Sequence, residues 1–326
     1  MIRPACVMAT LSMKIVLQYA AGPMLADRLA DLASGGLNVS VCPELESPRF
    51  EAVLADAEVV WHLLDPITAA TMAAAPRLRL IQKIGVGVNT IDLEAAQRRG
   101  VAVCNMPGTN SQAVAEMTLL LMLGALRRVA HLDSATRAGR GWALPAALQD
   151  SYGELHGRTV GLVGYGAVPR CLAPMLVAIG ARVLFCSRRP KRDAVGEPRV
   201  LPALLAESDI VSLHLPLTPE TDGVIDAAAI ASMKPGAILV NTARGGLVDE
   251  TALVTALRSG RLRAAGLDVF QTEPPGSGSP LLALDNVVVS PHVAWLTQET
   301  WARSLSVAVE NCRRLGAGED LLHRVM

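Results

Sequence analysis

From residue 14 onward, short runs of β-branched and apolar residues alternate with longer Ala- and Leu-rich stretches. In the first third of the chain strands are predicted at 14–19, 38–41, 58–63, 80–84 and 101–103, with helical stretches such as 24–32 and 67–75 between them. A second series starts after residue 157, with strands predicted at 159–163, 182–186, 210–214, 237–241, 264–269 and 287–290. Strands that alternate with helices pair in parallel and are covered on both faces. Two such series predict an α/β chain with two doubly wound parallel-sheet domains. Between them lies an apolar segment, 113–128, predicted as a helix capped by Ser111. A helix apolar around most of its circumference is buried, here between domains or in a subunit interface. Residues 139–152 read as a loop-like connection and 271–280 as a low-complexity loop. No repeat of 20–50 residues is visible.

Composition narrows the function. A length of 326 residues exceeds one ordinary core and fits about two domains. Thirty basic residues balance thirty acidic ones and 51% of the chain is hydrophobic. No global positive field exists to neutralise phosphates, so a nucleic-acid partner is not expected. Disorder, which needs low hydrophobicity and high net charge, is excluded. The longest apolar run, 117–126, is ten residues and too short for a bilayer, so no membrane partner is expected. Residues 1–12 are faintly signal-like but lack an apolar centre, and are read as an extension. Cys6, Cys42, Cys104, Cys171, Cys186 and Cys312 form no C-x-x-C pair, and no histidines stand at zinc spacing. Such cysteines are buried small hydrophobes of a reducing compartment. A soluble cytoplasmic protein without a metal site is the expectation.

The stretch Thr159-Val-Gly-Leu-Val-Gly164-Tyr-Gly166-Ala-Val-Pro169 reads as a strand, a glycine-rich turn and a helix start. Gly164 permits the tight turn, and Gly166 lets the backbone approach a pyrophosphate at the positive end of the helix. Pro169 stands where a third glycine is usual; in the first helical turn it loses no intrahelical bond. Pro174 is expected to remove one bond and kink the helix. The next strand ends in Ser187-Arg188-Arg189-Pro-Lys191-Arg192 instead of a carboxylate. Loss of the acid removes repulsion against a 2′-phosphate and a guanidinium offers it a bidentate partner, which favours NADP, with NAD possible. The alternative is a solvated basic loop.

Three polar residues stand at strand ends of the second series. Arg244 lies in Val240-Asn-Thr-Ala-Arg-Gly-Gly-Leu-Val-Asp-Glu250, Glu273 follows Gly266-Leu-Asp-Val-Phe270, and His292 lies in Val289-Ser-Pro-His-Val-Ala-Trp295. Ligands of open α/β sheets bind beyond the carboxyl ends of the strands, so the three can share a crevice. Histidine supplies a proton near neutral pH, a carboxylate beside it favours the imidazolium, and arginine fixes a planar carboxylate through two parallel bonds. His62, His131, His156, His214 and His323 have no such support and are read as structural, and Trp61, Trp142 and Trp301 as packing residues. Trp295 is either core or a wall of the substrate pocket.

With these motifs, Lys83-Ile-Gly-Val-Gly-Val-Asn89, Asn105-Met-Pro-Gly-Thr-Asn-Ser-Gln-Ala-Val-Ala-Glu116 and Ser208-Asp-Ile-Val-Ser-Leu-His-Leu-Pro-Leu-Thr218, the chain resembles the D-isomer-specific 2-hydroxyacid dehydrogenase family. The likeness runs from about Ile81 to His292. It implies a Rossmann cofactor domain at 111–296 inserted into a flavodoxin-like substrate domain of residues 1–110 and 297–326. It implies that Arg244 anchors the substrate carboxylate and carbonyl, that His292 is the acid–base with Glu273 as its partner, and that the amides of Val86 and Gly87 bind the carboxylate. Further cofactor contacts implied are Ala167, Val168, Pro216, Thr221, Thr242 and Asp268, the last accepting a hydrogen bond from the nicotinamide carboxamide. Together these imply an NADP-preferring 2-keto acid reductase acting on glyoxylate, hydroxypyruvate or a slightly larger acid, and a homodimer. D-3-phosphoglycerate is less favoured, because little chain follows His292; formate is disfavoured by the residues after it. A dinucleotide-sensing co-repressor-like protein and a phosphite-type dehydrogenase of the same fold are the alternatives.

Overall fold

The structure, a computed structural model, describes residues 12–43 and 48–326. The extension read at 1–12, with Cys6 in it, lies outside them except for residue 12. Contacts divide the chain into two units, one of residues up to Thr109 with Thr297–Met326, the other Asn110–Leu296.

The first unit carries five strands, β1 (Met13–Gln18), β2 (Leu37–Val41), β3 (Val59–His62), β4 (Leu80–Lys83) and β5 (Ala102–Cys104). All pair in parallel in the order β2-β1-β3-β4-β5. Helices α1 (Pro23–Ser34), α2 (Pro48–Ala55), α3 (Ala69–Ala73) and α4 (Leu93–Arg98) connect them. The core on one face gathers Val16, Phe50, Leu54, Met72, Ile81 and Val103, all nearly inaccessible.

The second unit opens with α5 (Ser111–Arg127) and α6 (Val129–Arg137). Its sheet has seven parallel strands: β6 (Thr159–Val163), β7 (Arg182–Cys186), β8 (Glu197–Pro198), β9 (Ile210–Leu213), β10 (Ala237–Asn241), β11 (Leu262–Leu267) and β12 (Val287–Val289). Their order is β12-β11-β10-β9-β6-β7-β8, so the chain reverses its direction of travel between β6 and β9. That is the Rossmann arrangement, in which ligands bind at the switch point. Helices α7 (Ala167–Ala178), α8 (Leu201–Glu207), α9 (Ala227–Ser232) and α10 (Glu250–Arg258) complete it. The chain then returns to the first unit as α11 (Gln298–Ala317), capped by the Thr297 hydroxyl, which accepts from the Thr300 amide. Helix α11 buries Trp301, Leu305, Ala308 and Cys312, and its Asn311 amide donates to Gln82 Oε1 at 2.6 Å.

Several expectations need correction. Ser111 is the first residue of α5 and not its cap; Asn110 holds that position without a side-chain bond. Helix α5 packs on α7 and on β10–β12, but the chain does not bury it all round: Leu120 is 60% exposed. The 139–152 connection contains a 3-10 turn at Ala146–Ser151. Pro174 lies inside helix α7, as expected, and having no amide hydrogen it costs the helix one backbone bond. Trp61 and Trp301 are packed inside, but Trp142 is 92% exposed, in a Gly- and Arg-rich loop between α6 and the 3-10 turn. The two-residue β8 left no periodic signal; its Pro198 cannot donate to a further strand, which suits an edge.

Candidate active site

The turn after β6 brings backbone, not side chain, to the ligand position. Gly164 has φ 98°, and a Cβ there would stand 2.7 Å from the His214 carbonyl oxygen, so no other residue fits. Its amide donates to the Cys186 carbonyl at 3.1 Å, which ties the turn to the end of β7. Gly166 is the N-cap of α7 and makes no side-chain cap bond, while a Cβ on it would meet nothing within 4 Å. Exposed Ala167 and partly buried Val168 follow. The start of α7 therefore has room at Gly166 and no side-chain cap, and the positive end of its helix dipole fits the pyrophosphate of a dinucleotide.

At the end of β7, Ser187, Arg188 and Arg189 are all exposed, and no acid occupies the strand end. Beyond β9, the Thr221 hydroxyl donates to the Pro216 carbonyl at 2.7 Å and accepts from the Thr218 amide at 2.8 Å, so this loop is held by its own threonine. Thr242, after β10, has its hydroxyl 2.8 Å from that of Thr118 on α5 and is nearly buried.

The polar trio follows β10, β11 and β12, three neighbours in the sheet. Arg244 is partly buried, and its Nη1 donates to the Ala243 carbonyl at 2.6 Å. Burial pushes its guanidinium down, and Glu273 works against that. The loop bearing it is set by Asn241, whose Nδ2 donates to the Arg244 carbonyl at 2.8 Å and whose Oδ1 accepts from the Ala243 amide at 3.0 Å. Gly245 lets this loop lie on the chain after β11: a Cβ there would overlap the Phe270 carbonyl at 1.9 Å.

His292 Nδ1 and Glu273 Oε2 are 2.6 Å apart. Glu273 Oε1 also accepts from the Phe270 amide at 3.0 Å. Burial alone would raise the Glu273 carboxyl, but the His292 hydrogen bond and charge, the Phe270 amide and Arg244 together hold it below its ordinary value. The carboxylate only accepts, so Nδ1 carries the hydrogen and Nε2 is left to exchange a proton.

His292 has φ 54°, rare for a residue with a Cβ. Its amide donates to the Asp268 carbonyl at 2.7 Å, and its carbonyl accepts from the Trp295 indole at 3.1 Å. The fully buried Asp268 carboxylate accepts from Ser290 Oγ at 2.6 Å and from the Val293 and Ala294 amides at 3.0 Å each. Burial raises that carboxyl despite these donors. Trp295 is 8% exposed, and its ring braces the turn that presents the histidine. Sequence reasoning missed Asn241 and Ser290 as supports; their positions at the strand ends beside Arg244 and His292 were the available signal.

In the first unit, Val86 and Gly87 follow β4 in a short loop, with Val86 46% exposed and its carbonyl accepting from Asn105 Nδ2 at 2.9 Å.

Residues 119–294 match the family model described as D-isomer specific 2-hydroxyacid dehydrogenase, NAD binding domain. The chain belongs to this family. Among D-2-hydroxyacid dehydrogenase relatives, a glyoxylate reductase of Aeropyrum pernix is 40% identical over 300 residues, 89% of this chain and 90% of that protein. A D-3-phosphoglycerate dehydrogenase of Mycobacterium leprae is 45% identical over 257 residues; the match takes in 78% of this chain and only 48% of that longer protein. A crystal structure from Thermus thermophilus superposes with a TM-score of 0.85 at 39% identity, covering 96% of this chain and all of that one. The family makes the chain an oxidoreductase of CH–OH donors with a nicotinamide dinucleotide cofactor, and the glycine turn and open α7 terminus suit that cofactor.

Proposed function

We propose that the protein is an NADPH-preferring 2-keto acid reductase that acts in the cytoplasm as a homodimer. The observation that carries the chemistry is the His292–Glu273 pair, 2.6 Å apart with Nε2 left over, on strand ends adjoining the Arg244 loop. When bound, the nicotinamide supplies the hydride to C2 of the keto acid, or takes it in the reverse direction. His292 Nε2 gives its proton to the carbonyl oxygen as that oxygen gains the electron pair, and recovers it in oxidation. Glu273 holds the ring by Nδ1 and so aims Nε2 at the reacting oxygen. Arg244 binds the substrate carboxylate and the carbonyl oxygen, fixing the face that meets the cofactor. The absence of an acid after β7, with Arg188 and Arg189 in its place, supports the 2′-phosphate of NADP.

Glyoxylate and hydroxypyruvate are the proposed substrates. The Mycobacterium leprae relative supports a second reading, oxidation of a phosphorylated 2-hydroxy acid. The deciding experiment is initial-rate oxidation of NADPH and NADH side by side with glyoxylate, hydroxypyruvate, pyruvate, phenylpyruvate and 3-phosphohydroxypyruvate. Turnover of a small keto acid with NADPH is expected. Preference for the phosphorylated acid supports the second reading, and coenzyme binding without turnover points to a dinucleotide sensor.

A further inference from the structure

The first unit buries a cation that the proposed chemistry leaves without a role. Lys83 ends β4, is 5% exposed, and donates through Nζ to the Leu63 carbonyl. The parallel register sets His62 of β3 beside it. His62 is wholly buried, with Nδ1 2.9 Å from Gln18 Oε1 and Nε2 2.9 Å from Thr90 Oγ1. Burial and then the Lys83 charge push that imidazole down to about 2, so the ring beside the ammonium is neutral at any ordinary pH.

The Lys83 stem runs beneath the loop that follows it. A Cβ on Gly85, whose φ is 143°, would lie 3.5 Å from Lys83 Cε. Two carbonyls of the loop, which would repel an anion, are engaged by protein: that of Gly85 accepts from the Met106 amide at 2.8 Å and that of Val86 from Asn105 Nδ2 at 2.9 Å. A charge surrounded by protein acts over several ångströms at a strength that water and salt deny to an exposed lysine. The loop thus has these two repulsive groups occupied and a positive charge on the lysine whose stem lies against Gly85.

We propose that Lys83 is a specificity-determining residue whose buried ammonium makes the loop of residues 85–87 select a carboxylate, so that the enzyme takes 2-keto acids in preference to neutral 2-keto compounds. The proposal rests on the 2-keto acid reading given above. It does not require Lys83 to touch the substrate, which makes it a positioning residue acting through the loop.

The test measures kcat and KM of wild type, Lys83→Met and Lys83→Arg with pyruvate and with pyruvamide, and the affinity of each for oxamate in the presence of coenzyme. Lys83→Met is expected to raise KM for the acid about tenfold or more and to weaken oxamate as much, with kcat changed by less than about threefold and the amide unaffected. Lys83→Arg, which keeps the charge, is expected to retain most of the preference for the acid. Equal losses on acid and amide would make Lys83 a packing residue and overturn the proposal, as would no change on either. If Lys83→Met does not fold, Lys83→Gln takes its place in the same acid-and-amide comparison: a loss confined to the acid sustains the proposal, and equal losses or none overturn it. If wild type turns over no 2-keto acid, the reductase reading falls while oxamate still decides for Lys83: affinity lost in Lys83→Met sustains it, and equal affinity or no binding overturns it.

Discussion

His292 is held from three directions, by Glu273 on its ring, by the Asp268 carbonyl on its amide and by the Trp295 indole on its carbonyl. A left-handed backbone at a residue with a Cβ persists only where its surroundings over-determine it, and these bonds do so. Replacing Glu273 by Gln keeps an acceptor for Nδ1 but removes the charge. Keto-acid reduction at neutral pH is then expected to fall about 10²-fold in kcat while coenzyme affinity stays within about twofold; an unchanged kcat would remove Glu273 from the mechanism. Gly164 is a residue of the opposite kind, defined by what it lacks. Gly164→Ala puts a methyl group against the His214 carbonyl at a left-handed position, at a cost of about 1–3 kcal/mol. A lowered melting temperature with weaker coenzyme binding is the expected result, and unchanged dinucleotide titration would contradict it. For Arg188→Asp, the ratio of kcat/KM for NADPH over that for NADH is expected to drop by about tenfold or more, because a carboxylate repels a 2′-phosphate and accepts from ribose hydroxyls. An unaltered ratio would leave the basic run as a solvated loop.

Among elements, the strands at 159–163, 182–186 and 237–241 were legible to the residue, because central parallel strands are continuous apolar runs bounded by polar turns. The glycine turn, Arg244, Glu273 and His292 were legible as motifs. Features that depend on distant chain were not: the pairing of Lys83 with His62, the clamp of Asp268 on residues 290–294, and the exposure of Trp142 come from tertiary packing alone. Asp209 is another such feature. Its carboxylate accepts from the Thr159 amide at 2.8 Å and from Lys234 Nζ at 3.0 Å, so one side chain ties the start of β6 to the turn before β10. Burial raises the carboxyl, but Thr159 and Lys234 outweigh it and the net shift is below the ordinary 3.8. A depressed carboxyl stabilises the folded state above its unfolded value and loses that contribution as pH falls through the lower folded one. Asp209→Asn should therefore cost about 1–2 kcal/mol in urea unfolding at pH 7, with the difference from wild type shrinking below about pH 4. A difference independent of pH would assign the effect to packing.

For the whole molecule, the outer face of α5 leaves Leu120 60% and Leu123 37% exposed, beside inner positions packed on the sheet. An apolar strip of this kind on a rigid helix is the surface expected to pair two copies in the proposed homodimer. Leu120→Glu should convert the dimer to a monomer by light scattering, while its coenzyme affinity stays within about twofold; a mass unchanged by the substitution would place the contact elsewhere. The chain path has its own outcome in time. The first unit is not finished when its fifth strand is made: Gln82 waits for Asn311, and Val103 for the backbone of Val325 and Met326. The whole inserted unit emerges from the ribosome in between, with every strand of its sheet drawn from one continuous stretch. During synthesis the later-made unit can therefore fold first, and the β4–β5 side of the earlier one stays open until the final helix arrives to close it.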